Sequence, residues 1–138
     1  MSERYIDPTR DQFGAFAALP QDTPIAMLNL VRLRERTEMD GQEMSGRAAY
    51  ARYSELTAPI LKHVGGSVAW SGGFEATLIG PEEERWDLVF FVSYPNAAAF
   101  IEMIRDSAYQ KAVRWRQAAV ETSRLIRLRP GQGGGGFG

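Results

Sequence analysis

The chain has no cysteine, a single histidine and almost no lysine. The missing cysteine excludes disulfides, thiolate catalysis and cysteine-ligated metals. One histidine, His63, cannot build a multi-histidine metal centre. Of the 16 basic residues only Lys62 and Lys111 are lysines, a bias better read as a trait of the coding genome than of function. An excess of charge is missing too. The formal net charge is −1, which gives no electrostatic basis for a nucleic-acid or anionic-membrane partner. No apolar run approaches the ~20 residues needed to cross a bilayer. Met1–Arg10 is polar and lacks the apolar segment of a signal peptide. A cytoplasmic location is the expectation. Neither a Ser-His-Asp order, nor a Walker loop, nor a dinucleotide glycine fingerprint occurs.

What is present suits one domain. At 138 residues, 44% apolar and 24% charged, the chain can bury about two-thirds of its unfolded surface. Asp7-Pro8-Thr9 opens a short helix, with Thr9 and Gln12 spaced as a capping box and Phe13, Phe16 and Ala17 on one side. Residues 1–22 therefore form an N-terminal addition against the main fold. Ile25–Leu33 is a strand with Ile25, Met27, Val31 and Leu33 facing one way and Ala26, Leu28 and Leu30 the other. Apolar residues on both faces mark a central strand. Glu38–Gly46 reads as a loop around an Asp40-Gly41 turn.

Ala49, Tyr53, Leu56, Ile60 and Val64 form the stripe of a helix over Arg47–Val64. Pro59 predicts a kink in it, and Gly65-Gly66 stops it. Two strands follow, Ser67–Ile79 and Trp86–Tyr94, joined by the charged Gly80–Arg85 connection. Gly72-Gly73 predicts a bulge or a close backbone approach. Asn96–Val120 is helical, with a break near Arg105–Ser107 where Asp106 caps the continuation. Thr122–Arg129 is the last strand. Gly131–Gly138 is mostly glycine and predicts a disordered tail, leaving residues 1–130 as the domain.

The order is β-α-β-β-α-β, a ferredoxin-like α+β arrangement with an antiparallel sheet and an extra N-terminal helix. Right-handed crossovers place both helical stretches on one face of the sheet. The two central strands are nonetheless apolar on both faces. A second copy covering the bare face symmetrically is the expectation, making the partner of this chain itself, as a homodimer.

Few residues carry chemistry. Asn29 interrupts an apolar strand, and two readings stand: an amide bonded to a neighbouring loop, which is favoured, or a ligand-facing amide on a pocket floor. His63 is a helix-end cap first and a catalytic base or metal ligand second. Trp70 and the tyrosines, among them Tyr53 and Tyr109, are core residues by default; some line a flat apolar pocket if one exists. Arg116 lies seven residues beyond Tyr109 on the same helical face. It either clamps a carboxylate or, as favoured, pairs with Glu121. Glu82-Glu83-Glu84 is a solvated turn.

Leu28-Asn29-Leu30-Val31-Arg32, Tyr50-Ala51-Arg52-Tyr53, Gly65-Gly66, Trp86-Asp87 and Tyr94-Pro95 with the alanines before Phe100 follow in order. With the Asp106–Tyr109 step, Arg116 and Ser123, this series resembles the DUF1330 family over roughly Asp7–Leu128. The resemblance implies the dimeric α/β-barrel superfamily, whose members pair two ferredoxin-like sheets. That superfamily includes small monooxygenases, haem-degrading enzymes, relatives of chlorite dismutase and muconolactone isomerases, while the function of DUF1330 itself is unknown. It implies a cofactor-independent small-molecule enzyme, with Asn29 and His63 the catalytic candidates and Asn29, Tyr53, Trp70, Tyr109 and Arg116 the ligand-binding ones. The alternative is a homodimer that binds a small ligand, or is purely structural, without turnover. A third reading is haem binding, since haem-degrading members use an Asn, a Trp and a His, the types of Asn29, Trp70 and His63. His63, however, ends the first helix, whereas those relatives carry theirs on the second. No cofactor and no metal is expected.

Overall fold

The computed structural model describes residues 4–137. The N-terminal and tail expectations for residues 1–3 and 138 lie outside the described residues. Four strands form one antiparallel sheet in the order β4-β5-β1-β6, with β1 at Ile25–Leu33, β4 at Ser67–Gly72, β5 at Leu88–Tyr94 and β6 at Val120–Leu128. That is the ferredoxin-like order, with β1 and β5 central as their two-sided apolar patterns require. Helix α1 (Arg10–Ala18) precedes β1, α2 (Gly46–His63) links β1 to β4, and α3 (Ala97–Arg105) and α4 (Ser107–Ala119) link β5 to β6.

Caps set the helix boundaries. Thr9 accepts from the Gln12 amide at 3.1 Å, Ser45 from Ala48 at 3.0 Å, Asn96 from Ala99 at 2.8 Å and Asp106 from Ala108 at 2.7 Å. Asp106 also closes α3, so the break expected near Arg105–Ser107 is a shared cap. Helix α2 runs through Pro59 to His63.

Three elements depart from the sequence reading. Glu38–Gly46 is not an open loop: β2 (Arg36–Met39) and β3 (Gln42–Ser45) make a hairpin. Its Asp40-Gly41 turn has positive φ at both residues, 52° and 81°, the backbone that two-residue hairpin turns demand. The strand expected over Ser67–Ile79 stops at Gly72, and the chain runs without regular structure until β5. The irregular pairing falls between Val68 and Trp70, not at the glycines. Gly72 instead leaves room for the Trp70 ring, which a Cβ there would strike. Gly46 has a similar duty, since a Cβ would run into the carbonyl oxygens of Arg34 and Ala119.

Register sorts every strand residue to a face. Toward the helices point Ile25, Met27, Asn29 and Val31 of β1, Leu88, Phe90, Val92 and Tyr94 of β5, and Ser123, Leu125 and Arg127 of β6. The core is built here, with Ile25, Met27, Val31, Val92 and Tyr94 all buried against Ala49, Tyr50, Ala97, Met103 and Tyr109. The opposite face carries Leu28 and Leu30, Val89 and Phe91, Ile126 and Leu128, and Trp70 beside Phe91 at 6.5 Å between ring centres. No helix lies over it. Trp70 is 56% exposed and Ile126 42%.

The N-terminal segment docks on β6 although more than a hundred residues separate them. The Ser123 amide and hydroxyl both donate to the Tyr5 carbonyl, at 2.7 and 2.8 Å, and the Tyr5 amide donates to Thr122 Oγ1 at 3.1 Å. Helix α1 buries none of its residues, but Phe16 packs on Phe100 with ring centres 5.2 Å apart. Residues 131–137 are exposed and form no helix or strand. Among the described residues no helix is long and apolar enough to cross a membrane.

Candidate functional site

A cavity of about 1300 Å³ lies between the helix-facing side of the sheet and α2, α3 and α4, with the N-terminal segment and α1 along its rim. It exceeds the ~300–1000 Å³ usual for small-molecule pockets. Its floor is the middle of the sheet, where Phe90, Asn29 and Leu125 form one cross-strand row. Apolar residues line most of it because this face is also the core face.

Tyr50 and Tyr53 come from consecutive turns of α2, and Tyr109 comes from α4. The rings of Tyr50 and Tyr53 lie 5.3 Å apart, and Tyr53 meets Tyr109 edge-on at 6.2 Å. The hydroxyls of Tyr53 and Tyr109 share a hydrogen bond of 3.0 Å. Burial pushes the Tyr50 phenol up to about 12, against the lowering effect of the Arg116 charge and with a smaller rise from Tyr109. Tyr53 is driven well above the usual phenol range by burial, then by its tyrosine neighbours, and Tyr94 rises chiefly through burial. These phenols keep their protons at neutral pH and act as hydrogen-bond donors.

Arg116 closes one end. Its Nη1 donates to the Ile6 carbonyl and its Nη2 to Ser123 Oγ at 3.1 Å. The pairing expected with Glu121 does not form. Glu121 is held by Arg4 at 3.7 Å and Arg34 at 3.8 Å, because β6 turns its side chain toward the N-terminal segment. Asn29 is half-buried, and its one hydrogen bond runs from Nδ2 to the Met27 carbonyl of its own strand at 3.2 Å. The neighbouring-loop partner favoured for it is therefore replaced by a local one, and Oδ1 has no partner among the described residues.

Of the residues singled out in the sequence, Asn29, Tyr53, Tyr109 and Arg116 line this one cavity. Trp70 does not: the shifted pairing after Val68 turns it to the opposite face of the sheet, against Phe91. His63 is exposed at the last position of α2, outside the cavity lining. Asn29, Trp70 and His63 thus sit in three separate places, which removes the geometric basis for the haem reading. Among the described residues no three His, Asp or Glu side chains converge as metal ligands. Sequence reasoning included Tyr50 among the aromatics that could line a pocket without singling it out as a ligand-binding candidate, and it missed the Tyr5–Thr9 rim. Its i, i+3 spacing to Tyr53 marks Tyr50 as sharing a face; nothing local marks the rim.

The model of the family described as "Domain of unknown function (DUF1330)" matches residues 40–127. The chain belongs to the DUF1330 family. It is 51% identical to the RPA0582 protein of unknown function from Rhodopseudomonas palustris, with a TM-score of 0.91 over 95% of this chain and 100% of that one. A structure of methylated RPA0582 agrees, at 53% identity, a TM-score of 0.91 and 96% and 98% coverage. At 19% identity and a TM-score of 0.51, over 85% of this chain and 93% of that chain, an uncharacterised NIPSNAP-like domain protein from Burkholderia xenovorans shares the fold. A comparison with curated proteins finds no match. Tyr53, Tyr109 and Arg116 lie within the family match, whereas Asn29 precedes it.

Proposed function

We propose that this DUF1330 chain is a homodimer that binds a small amphipathic molecule in the cavity of each protomer. The observation that carries the reading is the cavity itself: a space inside the fold with an apolar floor and with Asn29, Tyr53, Tyr109 and Arg116 turned into it. A core packed for stability alone fills such space, because a void forfeits the contacts of its lining. The lining supplies phenol donors, an amide and a guanidinium. Its single carboxylate among the described residues, Asp7, is exposed at the rim and accepts from Gln117 Nε2 at 3.3 Å. That set supports binding more directly than acid–base turnover.

The bare face supports the dimer. Leu28, Leu30, Val89, Phe91, Ile126, Leu128 and Trp70 share this face, and monomers rarely leave a large apolar patch in water. Sedimentation at micromolar concentration should report about 31 kDa, twice the 15.4 kDa chain mass; a 15.4 kDa species removes the dimer. For the cavity, mass analysis of small molecules released from the purified protein should find one that Asn29→Phe, which fills the floor, no longer retains. Equal retention by both proteins would place the molecule elsewhere.

A further inference from the structure

Resting on that reading of the cavity, the geometry points to a ligand class: we propose that it takes an amphipathic monocarboxylate, with the carboxylate on Arg116 beside Tyr50 and the apolar body along the sheet. Arg116 is half-buried, yet no carboxylate among the described residues pairs with it. A guanidinium has five N–H donors. One goes to Ile6 and one to Ser123, leaving three and the whole positive charge unmatched. A partly desolvated charge without a counter-charge is costly, and a bound anion supplies what the chain lacks. The fork of N–H groups suits a planar carboxylate. Tyr50 adds a second donor: its hydroxyl makes no hydrogen bond among the described residues, and the Arg116 charge acts on it. Among the described residues the wider lining agrees in sign, with Arg47, Arg116 and Arg127 against the carboxylate of Asp7.

The sheet sets the direction of the body. Arg116 is bonded to Ser123, which lies in the row Leu88–Val31–Ser123. Moving away from it come the row of Phe90 and Asn29, then the row of Val92 and Met27. Each step is two residues, so the run is roughly 13 Å, enough for a straight octyl chain. Beyond it stand Phe16, Phe100 and Met103, and Arg127 of the same row lies over the Phe16 ring at 4.9 Å with its guanidinium donating to the Phe16 and Pro20 carbonyls.

Three probes with one body and three heads test this: octanoate, 1-octanol and octylamine, titrated calorimetrically into the purified full-length protein at neutral pH. Octanoate should bind at least about tenfold more tightly than 1-octanol, the range of a charge-assisted hydrogen bond. Octylamine should be the weakest. Arg116→Gln should bring octanoate within about twofold of 1-octanol while leaving 1-octanol itself unchanged. Because Arg116 also holds the Ile6 carbonyl, Tyr50→Phe provides a variant that keeps the ring and the fold; it should weaken octanoate several-fold and spare 1-octanol. Equal affinity for octanoate and 1-octanol, or a preference that survives both substitutions, overturns the carboxylate assignment and leaves the cavity reading standing. Failure of all three probes to bind overturns both.

Discussion

Phe90 and Phe91 are neighbours on β5 and face opposite worlds. Phe90 points to the helices, packs against both halves of the core and floors the cavity. Phe91 points to the bare face and touches Trp70. The two faces are equally apolar in sequence but differ in what lies among the apolar groups. The helix face holds Asn29, the four tyrosines Tyr50, Tyr53, Tyr94 and Tyr109, and Arg116, with space between them. The bare face is Leu, Ile, Val, Phe and Trp across its middle, and its arginines sit at one end, Arg32 and Arg124 stacking on Trp86 at 5.7 and 5.3 Å. A surface with no polar group to position suits a flat, close-packed contact. A surface with donors around a void suits a small molecule.

Matched substitutions at this pair would break the comparison most sharply. Phe91→Asp puts a charge where the proposed partner sheet closes over it, and desolvating that charge should abolish association. Sedimentation should fall from about 31 kDa to the 15.4 kDa of one chain; an intact dimer would mean the bare face is not the contact. Phe90→Ala should do the reverse, costing about 3 kcal/mol of stability in urea unfolding while the sedimenting mass stays that of a dimer. If Phe90→Ala dissociated the dimer, the two faces would not be independent.

Alkaline pH sharpens the helix face alone. Folded Tyr50 holds its proton to about 12, whereas the unfolded phenol releases it near 10.0. Between those values the unfolded chain binds fewer protons, so stability declines with rising pH. The contribution is complete below pH 10 and about 2–3 kcal/mol smaller by pH 12. Tyr53 and Tyr94, also raised, act in the same direction. Urea unfolding of the native chain and Tyr50→Phe across this window checks it: the variant should show the shallower decline. The smallest effect belongs to a segment on neither face. Removing residues 131–138 should move Tm by no more than a degree or two, against the several degrees that 1 kcal/mol brings in a domain of this size.

Asp106 and Thr9 were legible as caps because a cap is a local bond, made within three residues of itself. Strand β1 was legible because its pattern repeats every second residue. Trp70 was not: one irregular pairing after Val68 changes which face it joins, and nothing in its neighbours announces the slip. The hairpin of β2 and β3 was read as a loop because four-residue strands carry too little alternation, even though its Asp-Gly turn was visible. Arg116 shows the same limit from the side of charge. Glu121 is near in sequence, but the strand that carries it belongs to another packing environment.

By itself the sequence determined the order of elements, the caps, the one-sided placement of the helices and the family, since each follows from short-range pattern or from the handedness of the chain. Tertiary structure alone decided that Tyr50, Tyr53 and Tyr109 meet, that Arg116 lines the cavity with no carboxylate paired to it among the described residues, and that Tyr5–Thr9 forms the rim. Those contacts join residues up to 118 positions apart. Their energies depend on burial and on which group reaches a partner first, and both exist only once the sheet has closed against its helices.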